Sequence, residues 1–205
     1  MTAATEPMVG DHGPFASGVR YEFRVWGRQR RARRRLARMG EVVRDHVVTD
    51  CYLLGDDADW NVKVRKNTLK LKRRLGDRRG FERWVSERYR SPRDVPDPFE
   101  AVFTELDRAR RDRSGRSLRA AASALGSVQG RGVVPVRKHR RRYRVGGSVA
   151  EATDIVMIDS GETYSTLAIE GGDLEELTEL RKALGLQRQP NVALHEMIAA
   201  ELDAD

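Results

Sequence analysis

The run Trp60 to Arg74, WNVKVRKNTLKLKRR, alternates apolar and cationic residues at period two on both sides of a turn. That is the pattern of a β-hairpin. With Lys66-Asn67 as the two-residue turn, Arg65 stands opposite Thr68, Lys63 opposite Lys70 and Asn61 opposite Lys72, because directly opposed residues of an antiparallel pair share a face. One face then carries Lys63, Arg65, Lys70 and Lys72, and the other Val62, Val64, Leu69 and Leu71. The apolar face must be buried. Four cations on one small patch repel each other, so the charged face serves a polyanion better than it serves stability.

The same alternation recurs along the chain. Val19 to Trp26 (VRYEFRVW) puts Arg20, Glu22 and Arg24 on one face and Tyr21, Phe23 and Val25 on the other. Val47 to Leu54 is a second strand, followed by a turn at Gly55 to Asp59. In Val133 to Val145 the residues Lys138, Arg140, Arg142 and Arg144 share one parity. The runs Val149 to Ile158 and Thr163 to Glu170 form a further antiparallel pair, joined through Asp159-Ser160-Gly161-Glu162, and bring in Glu151, Asp154 and Glu170.

Between the strands, helices are expected. Seven arginines lie between Arg28 and Arg38, with Leu36, Met39 and Val43 as a sparse apolar stripe. Phe81, Trp84 and Val85 are spaced for one helix face. Asp97-Pro98-Phe99-Glu100 reads as a capped helix start, continued by Val102, Phe103 and Leu106, and Leu118 to Leu125 is a shorter alanine-rich piece. Near the end, a helix boxed by Asp173 and Glu176 stops at Gly185, and another starts at Asn191 with Leu194, Met197, Ile198 and Leu202. The count is about seven antiparallel strands. Strands with one charged and one apolar face, plus helices with single apolar stripes, predict an α+β fold: an antiparallel barrel of seven to eight strands with a polar, ligand-holding lumen and helices outside. The expected organisation is a disordered tail over 1–18, then one domain over 19–205 with a helical insertion at about 75–132.

Charge narrows the partners. The 205 residues carry a formal net charge of +8 with pI near 10.0, which points to phosphate-bearing partners. The charge is uneven: residues 159–205 carry −8, and the rest +16. A single cysteine, Cys51, excludes an internal disulfide and a cysteine-cluster zinc site. His12, His46, His139 and His195 are scattered without ligand spacing. No apolar stretch approaches the ~20 residues of a membrane span, and the N-terminal residues lack a secretory pattern. The expected location is cytoplasmic.

Taken together, the Glu22-x-Arg24 strand, the Lys63-x-Arg65 strand, the Lys70-x-Lys72 strand, the later Lys138-x-Arg140 strand and the terminal Ala168-Ile169-Glu170 strand resemble the CYTH domain of the triphosphate tunnel metalloenzyme superfamily. The resemblance covers roughly Arg20 to Ile198 and includes Leu184-Gly185-Leu186 followed by Asn191. It implies an eight-stranded antiparallel tunnel that binds a triphosphate or polyphosphate and hydrolyses a phosphoanhydride with Mg²⁺ or Mn²⁺. The catalytic set it implies is Glu22, Lys63 and Arg65. The anion-binding set is Arg24, Lys63, Arg65, Lys70, Lys72, Lys138, Arg140 and Arg142, and the metal candidates are Glu22, Glu151, Asp154 and Glu170. Cations around the equatorial oxygens and a hard metal on carboxylates suit phosphoryl transfer. Arg20 stands where the family has its first glutamate, which makes the lumen more positive and favours polyanion binding over turnover. Two other expectations follow: a non-catalytic polyanion-binding tunnel, and nucleic-acid binding through Arg28 to Arg38 and Arg137 to Arg144, with the salt dependence that phosphate contacts impose.

Overall fold

The computed structural model describes residues 18–55, 57–65, 68–90 and 132–202. Among them eight strands close into one antiparallel barrel: β1 (Arg20–Trp26), β2 (Glu41–Leu54), β3 (Trp60–Arg65), β4 (Thr68–Arg78), β5 (Phe81–Tyr89), β6 (Gly132–Val145), β7 (Ser148–Met157) and β8 (Thr163–Gly171). The order around the wall is β1-β5-β4-β3-β2-β6-β7-β8, and β1 closes the ring by pairing with both β5 and β8. Three helices accompany them: α1 (Arg30–Met39), α2 (Leu174–Leu184) and α3 (Leu194–Leu202).

The central hairpin has the register its alternation predicts: Arg65 opposite Thr68, Lys63 opposite Lys70 and Asn61 opposite Lys72. Its apolar face is buried, with Val62, Val64, Leu69 and Leu71 in one cluster with Leu53. The outer faces of β1, β6, β7 and β8 supply Phe23, Tyr143, Ala150, Leu167 and Ile169 to a second cluster, completed by Ala32 and Leu36 of α1 and Leu177, Leu180 and Leu184 of α2. Burying each such leucine contributes about 1.5–3 kcal/mol, so the charged lumen is carried by apolar packing on the outside of the wall. At one end the side chains inside the barrel turn apolar. Tyr52, Leu54, Val134, Val136, Ile155 and Met157 pack with Leu194 and Ile198, so α3 stops that end.

Three expectations are corrected. Phe81, Trp84 and Val85 lie in a strand, β5, not a helix, and the first part of the expected helical insertion is therefore barrel wall. Phe81 and Trp84 are both nearly fully buried, yet they point to opposite faces of β5. A strand buried on both faces loses its alternation and mimics helical spacing. Second, α1 ends at Met39, Val43 belongs to β2, and both are more than 40% exposed. The buried stripe is Ala32 and Leu36. Gly40 follows because a Cβ there would lie 3.0 Å from Tyr143 Cβ and 3.1 Å from Val145 Cγ2. Third, the last helix starts at Leu194, not Asn191. Asn191 instead accepts from Arg24 N at 2.7 Å and donates to Glu22 O at 3.3 Å, which clamps the β1 backbone beneath two lumen residues.

Asp173 caps α2 by accepting from the backbone N–H groups of Glu175 and Glu176. The Glu176 carboxylate accepts from Gly147 N at 2.7 Å, which ties the helix start to the β6–β7 turn. The expected helices at 97–106 and 118–125, the Lys66-Asn67 turn and residues 1–17 of the expected 1–18 tail lie outside the described residues. No described helix is long and apolar enough to cross a membrane.

Candidate functional site: a charged barrel lumen

The period-two rule that buries Val62 and Leu71 outward sends their neighbours inward. Lys63, Arg65, Lys70, Lys72, Lys138, Arg140 and Arg142 therefore line the lumen with Glu22, Arg24, Glu151 and Glu170. Two inner clusters organise them.

The first centres on Asp50, which is fully buried. Arg65 holds it with two parallel hydrogen bonds, Nη2 to Oδ2 at 2.8 Å and Nε to Oδ1. Lys138 forms an ion pair with Oδ2, and Lys63 Nζ stands 3.7 Å from the same atom. The two amines also meet the Tyr52 hydroxyl, Lys138 at 2.8 Å and Lys63 at 3.3 Å. Burial alone would raise the Asp50 pKa, but the Arg65 hydrogen bonds and the charges of Lys63 and Lys138 hold it well below the carboxylate range. The lysines move the other way. Burial, and then the Lys138 charge, push Lys63 well below its ordinary value. Burial lowers Lys138 to about 8 against the pull of Asp50. Lys70, opposite Lys63, is lowered to about 8 by burial and by Arg65 and Arg88. One carboxylate thus serves three cations.

The second cluster centres on Glu22. Its Oε1 accepts from Arg24 Nη2 at 3.0 Å and its Oε2 from Lys72 Nζ at 2.7 Å. Burial opposes ionisation here, but Lys72 and Arg24 outweigh it and hold Glu22 well below the usual range. Arg24 also donates to Thr166 Oγ1 at 2.8 Å. Further along, Arg140 grips Glu151 through two nitrogens, and Thr153 donates to the same carboxylate at 2.8 Å. Despite its burial, Arg140 and Arg24 bring Glu151 down to about 2. Arg142 bridges Glu170 at 2.8 Å and Glu151 at 3.5 Å. Side-chain exposure is 15–25% at Lys63, Arg65, Lys72, Arg140 and Arg142 but 3% at Lys138. Solvent therefore reaches most of these cations.

The remaining candidates lie elsewhere. Asp154 is on the outer face of β7, where it accepts from Arg33 at 2.9 Å and Ser165 at 2.8 Å. His139 and Arg141 pair with Asp45 on the outside of the wall, and the arginines of α1 are likewise outside the lumen.

Sequence reasoning passed over Asp50, Tyr52 and Glu82. The signal for the first two was a lone acid and a tyrosine two apart in the apolar strand VVTDCYLL, sharing one face in a chain whose other strands carry cations. Glu82 is buried and stands directly across from Glu22. Burial, and then the Glu22 carboxylate, raise its pKa to about 7. That exceeds the ~4.3 of an unfolded glutamate, so the folded state binds this proton more tightly and loses stability as pH rises between the two values. Glu82→Gln keeps an acceptor for Trp84 Nε1, 3.1 Å from the carboxylate. It is expected to raise the Tm at pH 8 and to leave it nearly unchanged at pH 4, as thermal denaturation at both would show.

The resemblance implies a divalent metal. Among the described residues no group of three or more His, Cys, Asp or Glu side chains could hold one. Both oxygens of Glu22 and of Glu151 are engaged by cations, and Glu170 is held by Arg142. These acids fit the role of counter-ions to the basic lumen and do not fit a Mg²⁺ or Mn²⁺ site.

The arrangement defines a tunnel-type barrel: closed, antiparallel, charged inside and stopped at one end by a helix. Solved structures are similar to the chain in fold at low identity. A conserved hypothetical protein from Pyrococcus furiosus matches with TM-score 0.51 at 17% identity, over 86% of this chain and 99% of its own. A protein from Pyrococcus horikoshii OT3 matches with TM-score 0.54 at 14% identity, over 87% and 98%. A candidate adenylate cyclase from Bacillus halodurans covers 84% and 93% at 12% identity with TM-score 0.48. No protein-family model matches the chain. No curated protein matches it. The two Pyrococcus structures establish the fold alone.

Proposed function

We propose that the barrel lumen is a receptor for a triphosphate- or polyphosphate-type anion. The observation that carries this reading is the shortage of negative charge around Asp50. Lys63, Arg65 and Lys138 share that one buried carboxylate, and Lys70, opposite Lys63, has no ion pair among the described residues. Buried cations without full compensation are costly. An anion with several oxygens, entering along Arg65, Lys70, Arg140 and Arg142, relieves that cost. Arginine forks suit phosphate oxygens in particular.

Inorganic tripolyphosphate in EDTA-containing buffer is the direct probe. A ligand at about a hundredfold excess over Kd adds about 2.7 kcal/mol of stability. The wild type should therefore show a clear rise in Tm, and Lys138→Ala and Arg140→Ala should lose most of it. An unchanged wild-type Tm, with no heat of binding in calorimetry, overturns the reading.

A second reading, hydrolysis of the bound anhydride, is favoured by one feature. Glu82, Glu22 and Glu170 stand in cross-strand register on β5, β1 and β8. Phosphate release from tripolyphosphate with and without Mn²⁺, in wild type beside Glu22→Gln, tests it.

A further inference from the structure

Of the chain's 39 basic residues only six are lysines: Lys63, Lys66, Lys70, Lys72, Lys138 and Lys182. Lys63, Lys70, Lys72 and Lys138 sit on the lumen parity of β3, β4 and β6, whereas α1 on the outside carries arginine alone. Lys182 is exposed on α2. The distinction matters chemically. A guanidinium keeps its proton at any ordinary pH and is no nucleophile, whereas a lysine amine can lose its proton and attack an electrophile. Where charge suffices this chain uses arginine, and the amines are concentrated in the lumen.

Lys63 is placed to be the reactive one. Asp50 is already taken by two Arg65 nitrogens and by Lys138, and Lys63 is the most distant of the three cations, at 3.7 Å. The groups around its amine are Asp50, Tyr52, Arg65, Lys72 and Lys138, with Lys70 directly across on β4. Four of the six are cations. Two ammonium groups and one guanidinium around a single carboxylate leave a net repulsion that loss of one proton removes. Lys138, in direct contact with Asp50, retains its proton in preference to Lys63. The Tyr52 hydroxyl lies 2.8 Å from Lys138 Nζ and 3.3 Å from Lys63 Nζ, so once Lys63 has lost its proton the hydroxyl can accept from Lys138 and donate to Lys63. The phenol stays protonated, because burial, and then Asp50, raise its pKa.

Building on the reading of the lumen as a phosphate receptor, we infer that Lys63 is a covalent capture site whose free amine condenses with a small phosphate-bearing aldehyde, the phosphate resting against Lys70 and Arg65. Lys70 lies directly across from Lys63, and Arg65 is the next residue of β3 on the same face, its guanidinium sharing Asp50 with the Lys63 amine, so a phosphate beside that amine meets both. In the condensation the Nζ lone pair adds to the carbonyl carbon, and the C=O π pair moves to oxygen. That oxygen takes a proton from Tyr52, resupplied from Lys138, while the nitrogen gives one up to the same pair. The carbinolamine then loses its hydroxyl with the second nitrogen proton as water. The product is a C=N bond to Lys63, with no change of oxidation state.

Pyridoxal 5′-phosphate is the probe, used on the full chain at neutral pH with borohydride trapping and peptide mass mapping. The expected result is one equivalent on Lys63, formed at least about tenfold faster than on Lys182, which lies exposed on α2. Tripolyphosphate should block it, and pyridoxal without the phosphate should react far more slowly. Lys63→Arg should take no label in the lumen, and a cooperative urea transition with the wild-type m-value reports that it is folded. Label distributed evenly between Lys63 and Lys182, or concentrated on Lys70, Lys72 or Lys138, overturns the inference. So does equal labelling by pyridoxal. A wild type stabilised by tripolyphosphate but unlabelled at Lys63 loses the capture site and keeps the anion reading, whereas loss of the tripolyphosphate effect itself removes both.

Discussion

Replacing Asp50 with alanine is expected to lower the unfolding free energy by about 3–5 kcal/mol, the cost of breaking a buried ion pair by removing one partner. Asp50 is fully buried, and Lys63, Arg65 and Lys138 are left without it. Urea denaturation measures the loss, and a change below about 1 kcal/mol would show that these cations do not depend on it. The variant carries a second, more telling expectation. Tripolyphosphate should stabilise Asp50→Ala more than wild type, because the anion then supplies the missing negative charge. The pH dependence follows from the depressed pKa of Asp50. Its contribution is present above the unfolded value of ~3.9 and is lost as pH falls toward the much lower folded value.

Anion binding is also expected to take up protons. Lys70 and Lys138 have pKa values lowered to about 8, so at pH 8 each is only partly charged. A bound phosphate raises both by direct attraction, and protons enter with it. Calorimetric titrations with tripolyphosphate in two buffers of different ionisation enthalpy should therefore differ in apparent heat at pH 8, and the difference should shrink in Lys70→Arg, whose charge is fixed. Above pH 8 the affinity should fall about tenfold per pH unit for each proton required. Equal heats in both buffers at pH 8 would mean that these lysines do not meet the ligand.

The strands differ in how much of them could be read in advance. The two strands of the hairpin from Trp60 to Arg74 were legible, face and register included, because their pairing is local and a one-residue slip would expose every apolar side chain. β5 was not legible. Trp84 faces inward and Phe81 outward, and only a partner on each side explains why both are apolar. The acids divide in the same way. Glu151 and Asp154 are three apart and must face opposite sides of one strand, yet nothing in the run itself says which side is the lumen. Packing answers it: Arg140 meets Glu151 inside, and Arg33 meets Asp154 outside. Asp50 stayed hidden because its meaning lies in Lys138, which reaches it across the β2–β6 pairing.

What the chain's order of residues determined by itself was a set of two-faced strands, cationic on one side and apolar on the other, since backbone pleating fixes side-chain direction at every second residue. Which carboxylate neutralises which cation, and how many cations are left over, was decided only when β1 closed the ring between β5 and β8. Closure sets the long-range register that brings Glu22 to Lys72, as the β2–β6 pairing brings Asp50 to Lys138, and charges interact strongly only at such contact distances.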